Sequence, residues 1–148
     1  MLKNQRTIEK EVTLEGIGLH TGVNTVMTFK PAPAGTGYWF ERVDIDDSPR
    51  IKADIDHVVD ISRGTTIARG DVKVHTVEHV LSAIAGLEID NCIVELDNIE
   101  PPVLDGSSRP FVDALLEAGI VEQEAPKEYL DINKTLIFHD EEKGIDLV

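Results

Sequence analysis

The chain has 148 residues, one cysteine, and a formal net charge of −14 from 14 basic and 28 acidic side chains. A length of this order suits one domain, burying about 68–70% of its unfolded surface. The acidity argues against a nucleic-acid backbone as partner and against anionic lipid held by a basic patch. Cys92 stands alone in an apolar run. It has no partner for an internal disulfide and reads as a buried small hydrophobe in a reducing compartment. No stretch approaches the roughly 18 apolar residues of a membrane span. The opening residues carry no apolar signal core, so the expected location is cytoplasmic.

In chain order, residues 6–14, 23–29 and 37–45 alternate as strands. The first two are expected to pair as an antiparallel hairpin across the glycine-rich turn at 15–22. Residues 51–61 and 64–68 read as shorter, more polar strands, and 72–74 leads into a helix. Thr76 reads as that helix's N-cap, with Val77, Leu81, Ile84 and Ala85 as the buried face and Gly86 as the stop. A strand at 90–96 and a rigid proline loop at 100–108 follow. A second amphipathic helix is predicted over 109–118, with Ser108 and Pro110 at its start and Gly119 at its end. Residues 122–127 read as a linker, 129–138 as a strand, and 144–148 as the opening of another. A strand that runs into the last residue suggests a piece of a longer protein. The pattern predicts an α+β fold, two helices packed on a mainly antiparallel sheet. The expected division is a first domain over 1–124 and, over 125–148, a linker with the opening strands of a second.

The sharpest chemical feature is Glu78 beside His79 in the first helical turn. The positive end of the helix dipole favours an ionised carboxylate and a neutral imidazole, the form that binds metal. Neighbours on one turn sit about 100° apart, so a ligand and a base could line one cleft. Most Glu-His neighbours are merely solvated surface. His75 completes an H-x-x-E-H pattern, but a peptidase of that type needs both histidines on one helix. The β-branched residues before His75 read as strand instead. The glycines around His20 are not spaced for a dinucleotide loop, and a turn histidine is more often a structural hydrogen-bonder. Asp105 most simply holds a turn. His57 and His139 have no supporting sequence neighbours, and Tyr38, Trp39 and Phe40 read as sheet core and edge.

Three motifs then line up: Gly18-Leu19-His20-Thr21-Gly22, Thr76-Val77-Glu78-His79 and Leu104-Asp105-Gly106-Ser107-Ser108-Arg109-Pro110-Phe111. In this order and spacing, with Asp90-Asn91 between, they resemble the UDP-3-O-acyl-N-acetylglucosamine deacetylases of lipid A synthesis. The resemblance covers essentially the whole chain. It implies the first half of a two-domain sandwich with the active site between the domains. It also implies a zinc amidohydrolase, acting on a UDP-linked acylated glucosamine. By position, His79 resembles the zinc ligand and Glu78 the general base. His20, Ile61 and Ser62 fall beside the substrate cleft, and residues 51–74 resemble a small inserted sheet bordering it. Arg63 stands where some members carry cysteine, and His75 where members usually have a small polar residue. The other two zinc ligands of the family fall in a second-domain motif beyond Val148, so the chain alone is expected to be inactive. Its open strand edges invite self-association. The alternative reading is a non-catalytic binding module on the same scaffold.

Overall fold

The computed structural model describes residues 3–148. The elements are β1 (Asn4–Ile8), β2 (Val12–Ile17), β3 (Asn24–Pro31), β4 (Tyr38–Arg42) and β5 (Arg50–Lys52), then a 3-10 turn at Ile55–His57. There follow β6 (Val58–Asp60), β7 (Thr66–Arg69), β8 (Val72–Val74), α1 (Glu78–Gly86), β9 (Cys92–Leu96) and α2 (Arg109–Ala118). β10 (Ile120–Pro126), β11 (Phe138–Asp140) and β12 (Ile145–Leu147) complete the chain. The fold is α+β, and its sheets are mainly antiparallel.

The main sheet has five strands in the order β2-β3-β9-β4-β5. Only β4 and β9 run parallel. Along β3 the side chains alternate, and Thr25, Met27 and Phe29 point inward. Met27 and Phe29, with Phe40, Ile51, Val94 and Leu96, form the sheet's share of one apolar interior. The helices supply the rest: Val80, Ala83 and Ile84 from α1, and Phe111, Ala114, Leu115 and Ala118 from α2. The α1 face matches the expected one in part. Val77 and Ile84 are buried as expected, Val80 and Ala83 join them, Leu81 is half-buried and Ala85 is exposed. Phe29 and Phe111 meet edge to face, with centroids 6.4 Å apart and planes at 81°.

The predicted hairpin forms between β2 and β3, with Val12 opposite Phe29 and Ile17 opposite Asn24. The single strand expected over 6–14 is instead two strands in two sheets. The interruption lies at Glu9 and Lys10, whose backbone N–H groups donate to the Gly119 and Ala118 carbonyls at the end of α2. Those bonds satisfy helix-end carbonyls, and the chain turns away from one sheet to make them. The stretch expected to be a linker is largely β10, which pairs antiparallel with β1. A polar seam ties this ribbon to the main sheet. Asn91 donates to Gln5 (2.9 Å) and Gln123 (2.8 Å) and accepts from the Gly37 N–H (2.9 Å).

β6, β7 and β8 form a separate three-stranded sheet. It begins later than the inserted sheet expected at 51–74, because Ile51 is fully buried in β5 of the main sheet. Arg42 joins the two sheets, clasping Asp44 with Nε and Nη2 (2.8 and 2.6 Å) and donating Nη1 to the Lys73 carbonyl (2.7 Å). Residues 127–137 are irregular where a strand was expected, and β11 and β12 pair only with each other. Leu130, Ile132 and Ile137 are exposed there. His57 and His139 are not isolated: each ring meets an aspartate, Asp54 at 2.5 Å and Asp146. Cys92 is buried, and desolvation pushes its thiol up to about 12. No helix among the described residues is long and apolar enough to cross a membrane.

Phe111→Ala removes a fully buried ring and should cost about 3–5 kcal/mol. Leu116→Ala, on the exposed side of α2, should stay within about 0.5 kcal/mol. Urea midpoints at unchanged slope measure both.

Candidate active site

Glu78 and His79 open α1, as the spacing predicts. Thr76 does not cap this helix. No side chain caps it, and the Thr76 hydroxyl is used elsewhere, donating to Glu100 Oε1 at 2.8 Å. Thr76 also has φ +54°, a conformation that a β-branched residue adopts only when its surroundings hold it. The Val77 N–H donates to the Thr65 carbonyl (3.2 Å), and the Thr65 N–H returns a bond to Glu78 Oε2 (2.9 Å). The helix start is therefore laced to the loop between β6 and β7. Gly64 in that loop has φ +154°, and a Cβ on it would lie 3.1 Å from Glu78 Oε1. Glycine at this point leaves room for the carboxylate.

Two clefts meet at Thr76. The larger, of about 210 Å³, is lined by His20, Thr21, Asp60, Ser62, Arg63, Gly64, Thr66, His75 and Thr76. The smaller, of about 120 Å³, is mostly apolar and is lined by His79 with Leu19, Val103 and Phe111 among others. His79 thus borders the smaller cleft, while the Glu78 carboxylate reaches to Gly64 and Thr65 beside the larger. Ser62 lines the larger cleft, its hydroxyl and N–H both turned to Asp60. Ile61 is exposed at the loop tip and is not among the lining residues. His75 lies before α1, with Nδ1 at 2.9 Å from the Thr66 hydroxyl and its N–H on the Ile99 carbonyl. Its place off the helix removes the geometry that an H-x-x-E-H site needs.

His20 spans the larger cleft. Its ring Nε2 lies 3.2 Å from the Arg63 carbonyl. A carbonyl only accepts, so Nε2 carries the proton. Its backbone is fixed from beneath by Glu100, the first residue of the proline loop at 100–108. Glu100 is fully buried. Its carboxylate accepts from the His20 N–H (3.0 and 3.3 Å), the Thr21 N–H (3.0 Å), the Thr21 hydroxyl (3.0 Å) and the Thr76 hydroxyl. A Cβ on Gly18 would fall 2.6 Å from Glu100 Oε2, so the first glycine of the motif clears space for this carboxylate. Asp105 holds a turn, as expected, by accepting from the Ser107 N–H and hydroxyl (2.9 and 2.8 Å).

Among the described residues no three His, Cys, Asp or Glu side chains converge as a metal site requires. His79 is suited to be one ligand, but a catalytic zinc takes about three from protein. The donor set within this chain does not fit a complete zinc site.

Burial pushes the Glu100 carboxyl up, but the hydrogen bonds it accepts outweigh that and hold it below its ordinary 4.5. A carboxyl with a lowered folded value stabilises fully above the unfolded value and loses that contribution as pH falls through the folded one. Stability should therefore drop as pH falls below about 4.5, and Glu100→Gln should flatten that part of the profile. Thermal unfolding between pH 6 and pH 2.5 measures it.

The model of the UDP-3-O-acyl N-acetylglycosamine deacetylase family, LpxC, matches residues 5–148. A bifunctional LpxC/FabZ enzyme of Chlorobaculum tepidum is 63% identical over 148 residues, which is 100% of this chain and 32% of that protein. The UDP-3-O-acyl-N-acetylglucosamine deacetylase of Teredinibacter turnerae is 47% identical over 139 residues, covering 94% of this chain and 46% of its own length. That of Myxococcus xanthus is 46% identical over 144 residues, covering 97% and 46%. The chain thus spans about half the length of the single-function relatives and a third of the bifunctional one. With the glycine-histidine turn, the Glu78–His79 helix start and the aspartate loop gathered around two joined clefts, the chain belongs to the LpxC family of deacetylases.

Proposed function

We propose that this chain is the part of a zinc-dependent deacetylase that carries its general base and one metal ligand. The reaction is removal of acetate from a UDP-linked 3-O-acylated N-acetylglucosamine in bacterial lipid A synthesis, in the cytoplasm. The observation that carries the reading is Glu78 beside His79, both partly exposed at the first turn of α1 and next to open clefts. The names of the relatives supply the substrate. Zinc in such hydrolases polarises the amide and makes water a better nucleophile. The remaining ligands belong to the length that the relatives have and this chain does not span.

The chain's own residues supply the rest. Glu78 takes a proton as base. The Thr65 N–H, donated to Oε2, and the position at the first turn of α1 aim its carboxylate. His20, its Nε2–H donated to the Arg63 carbonyl, presents a polar ring held in one orientation to whatever fills the larger cleft. The smaller cleft offers apolar walls beside His79. In this reading 1–124 forms the first domain and 125–148 the approach to the second. The exposed apolar residues after 127 belong to surfaces that further chain covers.

In a full-length enzyme carrying this segment, Glu78→Ala should lower turnover about 10²- to 10⁴-fold and leave the zinc content unchanged. Acetate release and metal analysis check this, and joint loss of metal and activity would give Glu78 a structural role instead. For the 148-residue chain alone, calorimetry should find no zinc site of micromolar or tighter affinity and assays no acetate release. Tight binding at one site would contradict the incomplete donor set.

A further inference from the structure

We propose that Glu100 is a positioning residue for the deacetylation, a buried carboxylate that locks the His20 turn to the approach of the Glu78–His79 turn; this rests on the reading above. Its two oxygens divide the task. Oε1 takes the Thr76 hydroxyl at 2.8 Å, two residues before Glu78. Oε2 takes the Thr21 N–H and hydroxyl at 3.0 Å each. The His20 N–H lies against both. All four donors are neutral, so this is not an ion pair holding the fold by opposite charge. It is an anion wrapped in dipoles, which fixes directions rather than merely attraction.

Three further observations point the same way. Thr76 is held at φ +54°, so the residue leading into the catalytic turn sits in a conformation that its own chain does not favour. Gly18 has no Cβ where the Glu100 and Thr21 oxygens lie, so the turn is shaped around the carboxylate. The loop bearing Glu100 is itself pinned, by the Val103 N–H on the Ile17 carbonyl (2.8 Å) and the His75 N–H on the Ile99 carbonyl (2.9 Å). An amide in place of the carboxylate would point N–H groups at donors already in place. The lock then opens on one side, and His20 and the α1 start lose their common reference.

The test uses Glu100→Gln and, as a second variant that keeps the carboxylate, Thr76→Ala. In a full-length enzyme, at a temperature where circular dichroism shows it folded, each should lower kcat at least tenfold, with KM within threefold and zinc content unchanged. In the 148-residue chain, each should shift the His79 ring resonances. Glu100→Gln should also speed exchange of the His20 and Thr21 amides at least tenfold relative to Val94 and Leu96. A role in stability alone would lower the unfolding midpoint and leave kcat and the His79 ring unmoved; that result overturns the proposal. If Glu100→Gln does not fold, Thr76→Ala decides by the same kcat and His79 readings. If the wild-type enzyme releases no acetate, the functional reading fails, and the proposal fails with an unmoved His79 ring.

Discussion

β9 has both edges committed, antiparallel to β3 on one side and parallel to β4 on the other. Its inward residues Cys92, Val94 and Leu96 are fully buried. A strand so placed cannot slip by one residue without turning its apolar set outward. Its ends are therefore fixed points. Beyond Leu96 the Asp97 carboxylate accepts the Val26 N–H at 2.7 Å, and three residues later the chain delivers Glu100 beneath the clefts. The position of the site follows from the register of the central strand.

The two ends of β9 carry two different polar hubs. Just before it, Asn91 gathers the β1–β10 ribbon through Gln5 and Gln123. Shortly after it, Glu100 gathers the loops of the site. Each hub adds directional ties to segments that bring few apolar side chains into the core, Ile8 being the fully buried one of β1. Each is satisfied by its partners, as a buried polar group must be to be tolerated. The core holds the layers together, and these two groups set how the irregular chain is laid over it.

Much of the fold was legible because its signals are periodic. The second helix stands at the expected 109–118, and β8 at 72–74, since an amphipathic run with its own turn residues needs no distant information. The single strand read over 6–14 failed because its break is set by α2, more than a hundred residues away in sequence. The linker read over 122–127 failed because polarity there reflects an exposed ribbon face, not absence of structure. Of the candidate site, Glu78, His79 and His20 stood out through motif and neighbourhood. Glu100 did not: a glutamate before two prolines looks like solvated loop, and only the fold turns its carboxylate inward. Thr76 had the right chemistry for a cap, but a buried acceptor competes for its hydroxyl and wins.

The lone thiol of Cys92 has a practical corollary. It is sealed within the central strand and stays protonated far above neutral pH, so electrophiles such as maleimides have no native target in this sequence. A cysteine introduced at the rim of either cleft would be the one reactive sulfur. The chain is thus a ready background for spin labels or fluorophores that report on motions of the loops around Thr76.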